Sequence, residues 1–181
     1  MMISTSRTSD FQISGSAISS HKNIHFEVTL NVIASFFIAV MTQMIIECML
    51  FLLLFSVLRA YAGGLHLNTF ISCFFWSCTS LFVILEFIKN ININICYVFL
   101  GCIIGTMIIL TLGPIHDVNR PLSQNEVKNF KNKLYKTVFL ISVLSILFFS
   151  FKKIKILKIF MIAELFESLV LILGLIKNEK E

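Results

Sequence analysis

The segment ICYVFLGCIIGTMIILTL occupies residues 95–112 and contains no charged side chain. A helix of this length extends about 27 Å, close to the roughly 30 Å hydrocarbon core of a bilayer. Gly101 and Gly105 are four residues apart, so they lie on one face and let a second helix approach closely. The segment therefore predicts a membrane-spanning helix with a close-packing face.

Further apolar segments lie on both sides of this one. Val28–Leu58 is long enough for one tilted helix or for a hairpin of two shorter helices, and no Gly or Pro marks a turn within it. Phe70–Ile88 predicts another full span, since roughly 20 residues cross a bilayer core. Two shorter apolar segments follow, at Thr137–Phe151 and Ile159–Ile176.

The composition agrees with a membrane environment. Hydrophobic residues make up 57% of the 181 residues and charged residues 14%, whereas soluble domains have about 25% charged residues. The sequence therefore predicts an all-α, polytopic membrane protein with four to six transmembrane or re-entrant helices. We expect one membrane domain over residues 27–176. A polar, disordered tail without a signal-peptide core precedes it at 1–26, and a polar tail follows at 177–181.

The charged loops predict an orientation. Loops 59–69 and 113–136 are separated by two spans, and the second is rich in lysine, so the positive-inside rule places both in the cytoplasm. The segment Thr137–Phe151 would extend only about 22 Å as a helix. We therefore expect it, or its partner helix, to be re-entrant or steeply tilted. That arrangement would keep the lysines that follow it on the cytoplasmic side; these are Lys152, Lys153, Lys155 and Lys158.

The motif RAYAGGLH, residues 59–66, places an arginine, two glycines and His66 close together, and Cys73 follows seven residues later. These are the groups that a cysteine protease needs, because the thiol attacks the peptide carbonyl and the imidazole transfers the proton. On one regular helix His66 and Cys73 would be about 10.5 Å apart along the axis. A hydrogen bond of about 3 Å between them therefore requires a break in the helix.

The sequence supplies such a break. Gly63 and Gly64 permit positive φ and a tight turn, and Asn68 and Thr69 are favourable N-cap residues for a helix that begins near Phe70. Cys73 would then lie in the first turn of that helix, where the macrodipole favours an anion.

Arg59, at the end of the preceding apolar segment, is suited to stabilising an anion or binding a substrate carboxylate. The alternative is a structural turn followed by a packing cysteine.

A metal site is not expected. Zinc requires three or four ligands, and only His66, Cys73 and either Cys78 or His116 are candidates. The five cysteines form no regular framework, which predicts free thiols. We expect no cofactor.

The pattern Arg59-x3-Gly63-Gly64-x-His66-x6-Cys73, in a small polytopic protein, resembles the accessory gene regulator B family of quorum-sensing peptide-processing enzymes. Residues 113–122, GPIHDVNRPL, are similar to the family's second polar loop. The resemblance implies that Cys73 is the nucleophile and His66 its base, with Arg59, Gly63 and Gly64 in supporting roles.

The resemblance also implies the reaction. Members cleave a short amphipathic propeptide on the cytoplasmic side through an acyl-enzyme thioester, and a Cys or Ser of the peptide closes a thiolactone or lactone ring. They are expected to act as homodimers in the cell membrane, in contact with lipid and without nucleic acid. The alternative is a non-catalytic small transporter or peptide-export component.

Other polar residues have less certain roles. Asp117 and Asn119 are candidates to orient His66, although they also suit a turn. The predicted basic loop 128–136 includes Lys128, Lys131 and Lys133, which would either dock an acidic substrate tail or follow the topology. For four acids in apolar surroundings we expect structural pairing: Glu47 with Gln43, Glu86 with Lys89, and Glu164 and Glu167 with lysines of the basic segment or with the substrate.

Overall fold

A computed structural model describes residues 29–63, 70–114 and 124–178. Within these ranges the chain forms six helices, and five of them are long and apolar enough to cross a membrane. The all-α, polytopic fold predicted from the sequence is confirmed. The helices are α1 (Thr29–Thr42), α2 (Ile45–Ala62), α3 (Phe70–Asn90), α4 (Ile95–Leu112), α5 (Gln124–Ser150) and α6 (Ile154–Asn178).

The first apolar segment forms two helices, which is the second of the two predicted alternatives. Gln43 has a φ of 57°, and Met44 N–H donates to the Ala39 carbonyl at 3.0 Å, as in a Schellman turn at a helix end. The Cys48 thiol lies 3.9 Å from the Ser35 carbonyl oxygen, although a straight helix would separate these residues by about 20 Å. Helix α1 therefore folds back against α2.

Helix α6 is the centre of the bundle and packs against all four other spans. In its apolar window 61% of the residues are buried, compared with 22–28% in the others. Its contact with α4 uses the predicted glycine face: a Cβ added at Gly105 would lie 2.8 Å from the Cβ of Glu164. The close-packing role of Gly101 and Gly105 is confirmed.

Helix α5 corrects two expectations. The predicted basic loop 128–136 is helical, and it continues into the apolar segment that was expected to be too short. The combined helix of 27 residues extends about 40 Å, so a re-entrant or steeply tilted path is not needed. The lysine-rich part is helical because it is amphipathic: Leu134 and Val138, four residues apart, are buried, while Lys131, Lys133 and Lys136 are exposed.

The helices define two ends of the bundle. Arg59 near the end of α2 and Cys73 near the start of α3 line one cavity, and we call this the Arg59 end. The start of α2, the end of α3 and the start of α6 meet at the other end, around Lys89, Lys155 and Lys158, which we call the lysine end. Helices α2 and α6 therefore run parallel.

This arrangement corrects the placement of the later lysines. Lys158 donates from its ammonium group to the Ile91 carbonyl in the α3–α4 connection. The segment from Lys152 to Lys158 thus lies at the end opposite to Arg59. The expectation that these lysines share a side with the Arg59 loop is wrong, because α5 is long enough to carry the chain to the other end.

Candidate active site

The last turn of α2 positions Arg59. Its guanidinium Nη1 donates to the Gly63 carbonyl oxygen at 2.8 Å, and Gly63 N–H donates back to the Arg59 carbonyl at 3.2 Å. Gly63 has φ 77° and ψ −145°, a combination that residues with a Cβ rarely adopt. Arg59 therefore closes the helix end on a backbone turn that favours glycine.

Cys73 lies in the first turn of α3. The helix begins at Phe70, as the sequence predicted, and the Cys73 thiol is free and exposed. The first turn of a helix has N–H groups without intrahelical partners and the positive end of the macrodipole. Both features favour an anionic group at this position.

A cavity of about 170 Å3 lies between α2, α3 and α6, and both Arg59 and Cys73 line it. Part of its wall is a cluster of three aromatic rings, Phe51, Phe55 and Phe166, whose centroids are 5.3–6.2 Å apart. Ser77 and Ser80 of α3 add hydroxyl groups. The cavity is smaller than a typical ligand pocket of about 300–1,000 Å3, so it suits a side chain rather than a whole peptide.

Glu167 on α6 is the residue that sequence reasoning did not connect to this site. Its side chain is fully buried, and neither carboxylate oxygen accepts a hydrogen bond from the described residues. Glu167 and Arg59 lie close enough for their charges to interact. Helices α2 and α6 both start at the lysine end, and Arg59 and Glu167 each lie about 20 Å from the start of their helix. The two residues are therefore at the same depth in the bundle.

A family model, Accessory gene regulator B, matches residues 23–171. That range is more than four fifths of the chain. The chain belongs to the accessory gene regulator B family. The predicted resemblance is confirmed, and membership supports a role in the accessory gene regulator system, in a multi-pass membrane protein.

A curated relative from Clostridium perfringens (strain SM101 / Type A), described as an AgrB-like protein, is 28% identical over 132 residues. The alignment covers 66% of this chain and 61% of the relative. No solved structure gives a significant match.

Several residues that carry the resemblance to the accessory gene regulator B family lie outside the described residues. They are Gly64, His66, Asp117 and Asn119. The pairing of His66 with Cys73, and the residue that orients His66, therefore remain predictions. Of the motif, the structure brings Arg59, Gly63 and Cys73 to the same end of the bundle.

The lysines proposed for substrate docking lie on α5 rather than on a loop. Lys128, Lys131 and Lys133 are exposed, and the Lys131 ammonium lies 5.8 Å from the centroid of the Tyr135 ring. They occupy the N-terminal part of α5, which starts at the Arg59 end. Their docking role is untested by this geometry.

The other intramembrane acids have partners that differ from those expected. Glu164 accepts a hydrogen bond from the Thr106 hydroxyl at 3.0 Å, and Glu86 accepts one from the Asn90 amide at 3.2 Å. Gln43 terminates α1 and does not share a helix with Glu47. In the described ranges no lysine pairs with Glu164 or Glu167, so the first alternative, pairing with the basic segment, is wrong, and the second, contact with the substrate, stays a prediction.

All five cysteines are free, and Cys48 and Cys102 are buried. In the parts of the chain that the structure describes, no three His, Cys, Asp or Glu side chains form a metal-binding group.

Proposed function

We propose that this chain is a membrane-embedded cysteine endopeptidase that cleaves a short propeptide and promotes its cyclisation to a thiolactone or lactone signal. The supporting observation is that the exposed Cys73 thiol and Arg59 line one cavity, between the end of α2 and the start of α3. This geometry occurs in a chain of the accessory gene regulator B family. The proposed site faces the cytoplasm.

The first step is acyl transfer to the enzyme. The Cys73 sulfur attacks a peptide carbonyl carbon of the propeptide, and His66 accepts the thiol proton. The carbon–nitrogen bond then breaks, and the proton passes to the departing amine. The C-terminal part of the propeptide leaves, and the N-terminal part remains bound to Cys73 as a thioester.

The second step closes the ring. A Cys thiol or Ser hydroxyl within the bound peptide attacks the thioester carbonyl, its proton is transferred to His66, and Cys73 leaves as the thiol. When the attacking group is a thiol, one thioester replaces another, so little free energy is lost. Water would compete by hydrolysing the thioester, and the apolar wall of Phe51, Phe55 and Phe166 offers water no hydrogen-bond partner on that side of the cavity.

Arg59 has the charge that this reaction requires. Negative charge develops on the carbonyl oxygen during both steps, and a fixed cation in a site of low polarity stabilises it strongly. Arg59 is held by the Gly63 carbonyl and lies near the charge of Glu167. Its position is therefore set before the substrate binds.

His66, oriented by Asp117 or Asn119, is the proposed base. The exposed lysines Lys128 and Lys131 belong to the surface proposed to bind an acidic substrate tail. The active form is proposed to be a homodimer in the lipid bilayer, without a cofactor or metal.

The experiment uses the full chain in proteoliposomes with a co-reconstituted propeptide. We expect cleavage by the wild type and none by Cys73→Ala, Cys73→Ser or His66→Ala. Cys96→Ala is the matched control, because Cys96 is also exposed but lies at the start of α4, at the lysine end. Mass spectrometry should detect the peptide thioester on the wild type.

Two results would contradict the proposed peptidase function. Cleavage by Cys73→Ala at the wild-type rate would exclude the thioester mechanism. Peptide movement across the membrane that continues in Cys73→Ser, without cleavage, would support the transporter alternative.

A further inference from the structure

A second cavity, of about 300 Å3, lies at the lysine end of the bundle. Three elements form it: the α1–α2 turn and first turn of α2, the end of α3 with the residues after it, and the start of α6. Its lining residues are Met44, Glu47, Ile88, Lys89, Asn92, Lys155 and Lys158. Neither the proposed peptidase reaction nor the family motif uses any of them.

The cavity has an excess of positive charge. Lys89, Lys155 and Lys158 line it together with a single acid, Glu47. Among the described residues, no carboxylate lies within ion-pair distance of these three ammonium groups. Three cations around a cavity repel one another, so an anion between them would be favourable.

Lys158 gives a second reason to expect an anion. Its side chain is only 8% exposed, and its ammonium donates to the Ile91 carbonyl. An ammonium group has three N–H donors, and a buried cation is costly unless its charge is compensated. A neutral carbonyl supplies a hydrogen bond but no compensating charge.

The direction of α6 adds to this field. Its N-terminal end borders the cavity, and its first turn contains no acidic residue. The positive end of the helix macrodipole therefore adds to the lysine charges.

We propose that this cavity binds the phosphate group of an anionic lipid headgroup. Lipid is favoured over free phosphate because the cavity lies at the ends of the spanning helices, where headgroups are located. Its wall also includes the apolar side chains of Met44 and Ile88, which suit the glycerol and upper acyl carbons. The site lies in the leaflet opposite to the Arg59 end. It does not depend on the proposed peptidase function.

The test measures lipid binding by the full chain in detergent. Dioleoylphosphatidylglycerol is titrated while thermal unfolding and native mass spectrometry are recorded, with dioleoylphosphatidylcholine as the neutral lipid. We expect the anionic lipid to raise the unfolding temperature and to remain bound in the gas phase. Lys89→Gln and Lys155→Gln should each weaken binding about fivefold, the scale expected for one basic residue near an anionic surface.

Lys153→Gln is the matched control. Lys153 is an exposed lysine at the same end of the bundle, but it does not line the cavity, and its removal changes the net charge equally. We expect Lys153→Gln to bind the anionic lipid as the wild type does. Lys155→Arg should retain binding, which separates loss of charge from misfolding.

Three outcomes would overturn the proposal. The first is equal stabilisation by the neutral lipid, and the second is an equal loss of binding in Lys153→Gln, which would indicate diffuse surface attraction. The third is full stabilisation by millimolar inorganic phosphate without lipid, which would assign the site to a free anion.

Discussion

Arg59 on α2 and Glu167 on α6 interact through their charges at the same depth in the bundle, next to the cavity that contains Cys73. Glu167 is fully buried and accepts no hydrogen bond from the described residues. Arg59 in turn donates to the carbonyl of Gly63, which is three residues before His66 in the sequence. Glu167, near the middle of α6, thus interacts with the arginine that holds the Gly63 turn of the motif.

Replacing Glu167 with Gln should therefore impair both stability and processing. The substitution removes the negative charge that offsets the partly buried Arg59 guanidinium, and a charge pair with one partly exposed member contributes about 0.2–1 kcal/mol. We expect a lower unfolding temperature and a reduced kcat for propeptide cleavage. Glu86→Gln is the control, since Glu86 bonds only to Asn90 at the lysine end of α3 among the described residues. Equal behaviour of the two variants would show that the charge of Glu167 does not support Arg59.

The two glycines of α4 should differ in their tolerance of alanine. A Cβ at Gly105 would lie 2.8 Å from the Glu164 Cβ and 3.1 Å from its backbone carbon, whereas one at Gly101 meets the flexible end of Met161. Gly105→Ala should cost about 1–3 kcal/mol, as overpacking does, and Gly101→Ala less. Thermal unfolding in detergent measures both. A larger loss for Gly101→Ala would mean that α6 shifts more easily than Met161 rotates.

Much of this fold follows from local pattern. Residues 95–112 predict α4 because no charge interrupts them, and the spacing of Gly101 and Gly105 predicts the face that packs on α6. The start of α3 at Phe70, and hence the place of Cys73 in its first turn, could be predicted from the sequence because Asn68 and Thr69 precede it. Each of these features depends on a few adjacent residues.

Other features depend on tertiary contacts and could not be predicted from the sequence. Gln43 ends α1 in a left-handed conformation without Gly or Pro, so no turn signal is present. The lysine-rich part of α5 has the composition of a loop. Only the four-residue spacing of Leu134 and Val138, which are buried, indicates a helix. The interaction of Arg59 with Glu167 could be predicted only if the parallel packing of α2 and α6 were already known.

Substitution of the α5 lysines tests their proposed docking role. Lys128→Gln with Lys131→Gln and Lys133→Gln removes three exposed charges near the Arg59 end. If these residues bind an acidic substrate tail, KM should rise roughly fivefold or more while kcat changes little, and added salt should reduce the difference. An unchanged KM would mean that the lysines only help to orient the protein in the membrane. The triple variant Lys152→Gln, Lys153→Gln and Lys155→Gln, at the opposite end, controls for net charge.

Thiol labelling tests the orientation of the bundle in the membrane. Cys73 and Cys96 are exposed and lie at opposite ends of the bundle, so single-cysteine variants retaining either one should react from opposite sides with an impermeant maleimide. We expect Cys73 to react only in inside-out vesicles, and Cys96 only in whole cells. Lys153→Cys, in a background without the native cysteines, should behave like Cys96, because the long α5 carries residue 153 to the lysine end. Reaction of residue 153 from the same side as Cys73 would instead show that α5 does not cross the bilayer, and would contradict the topology.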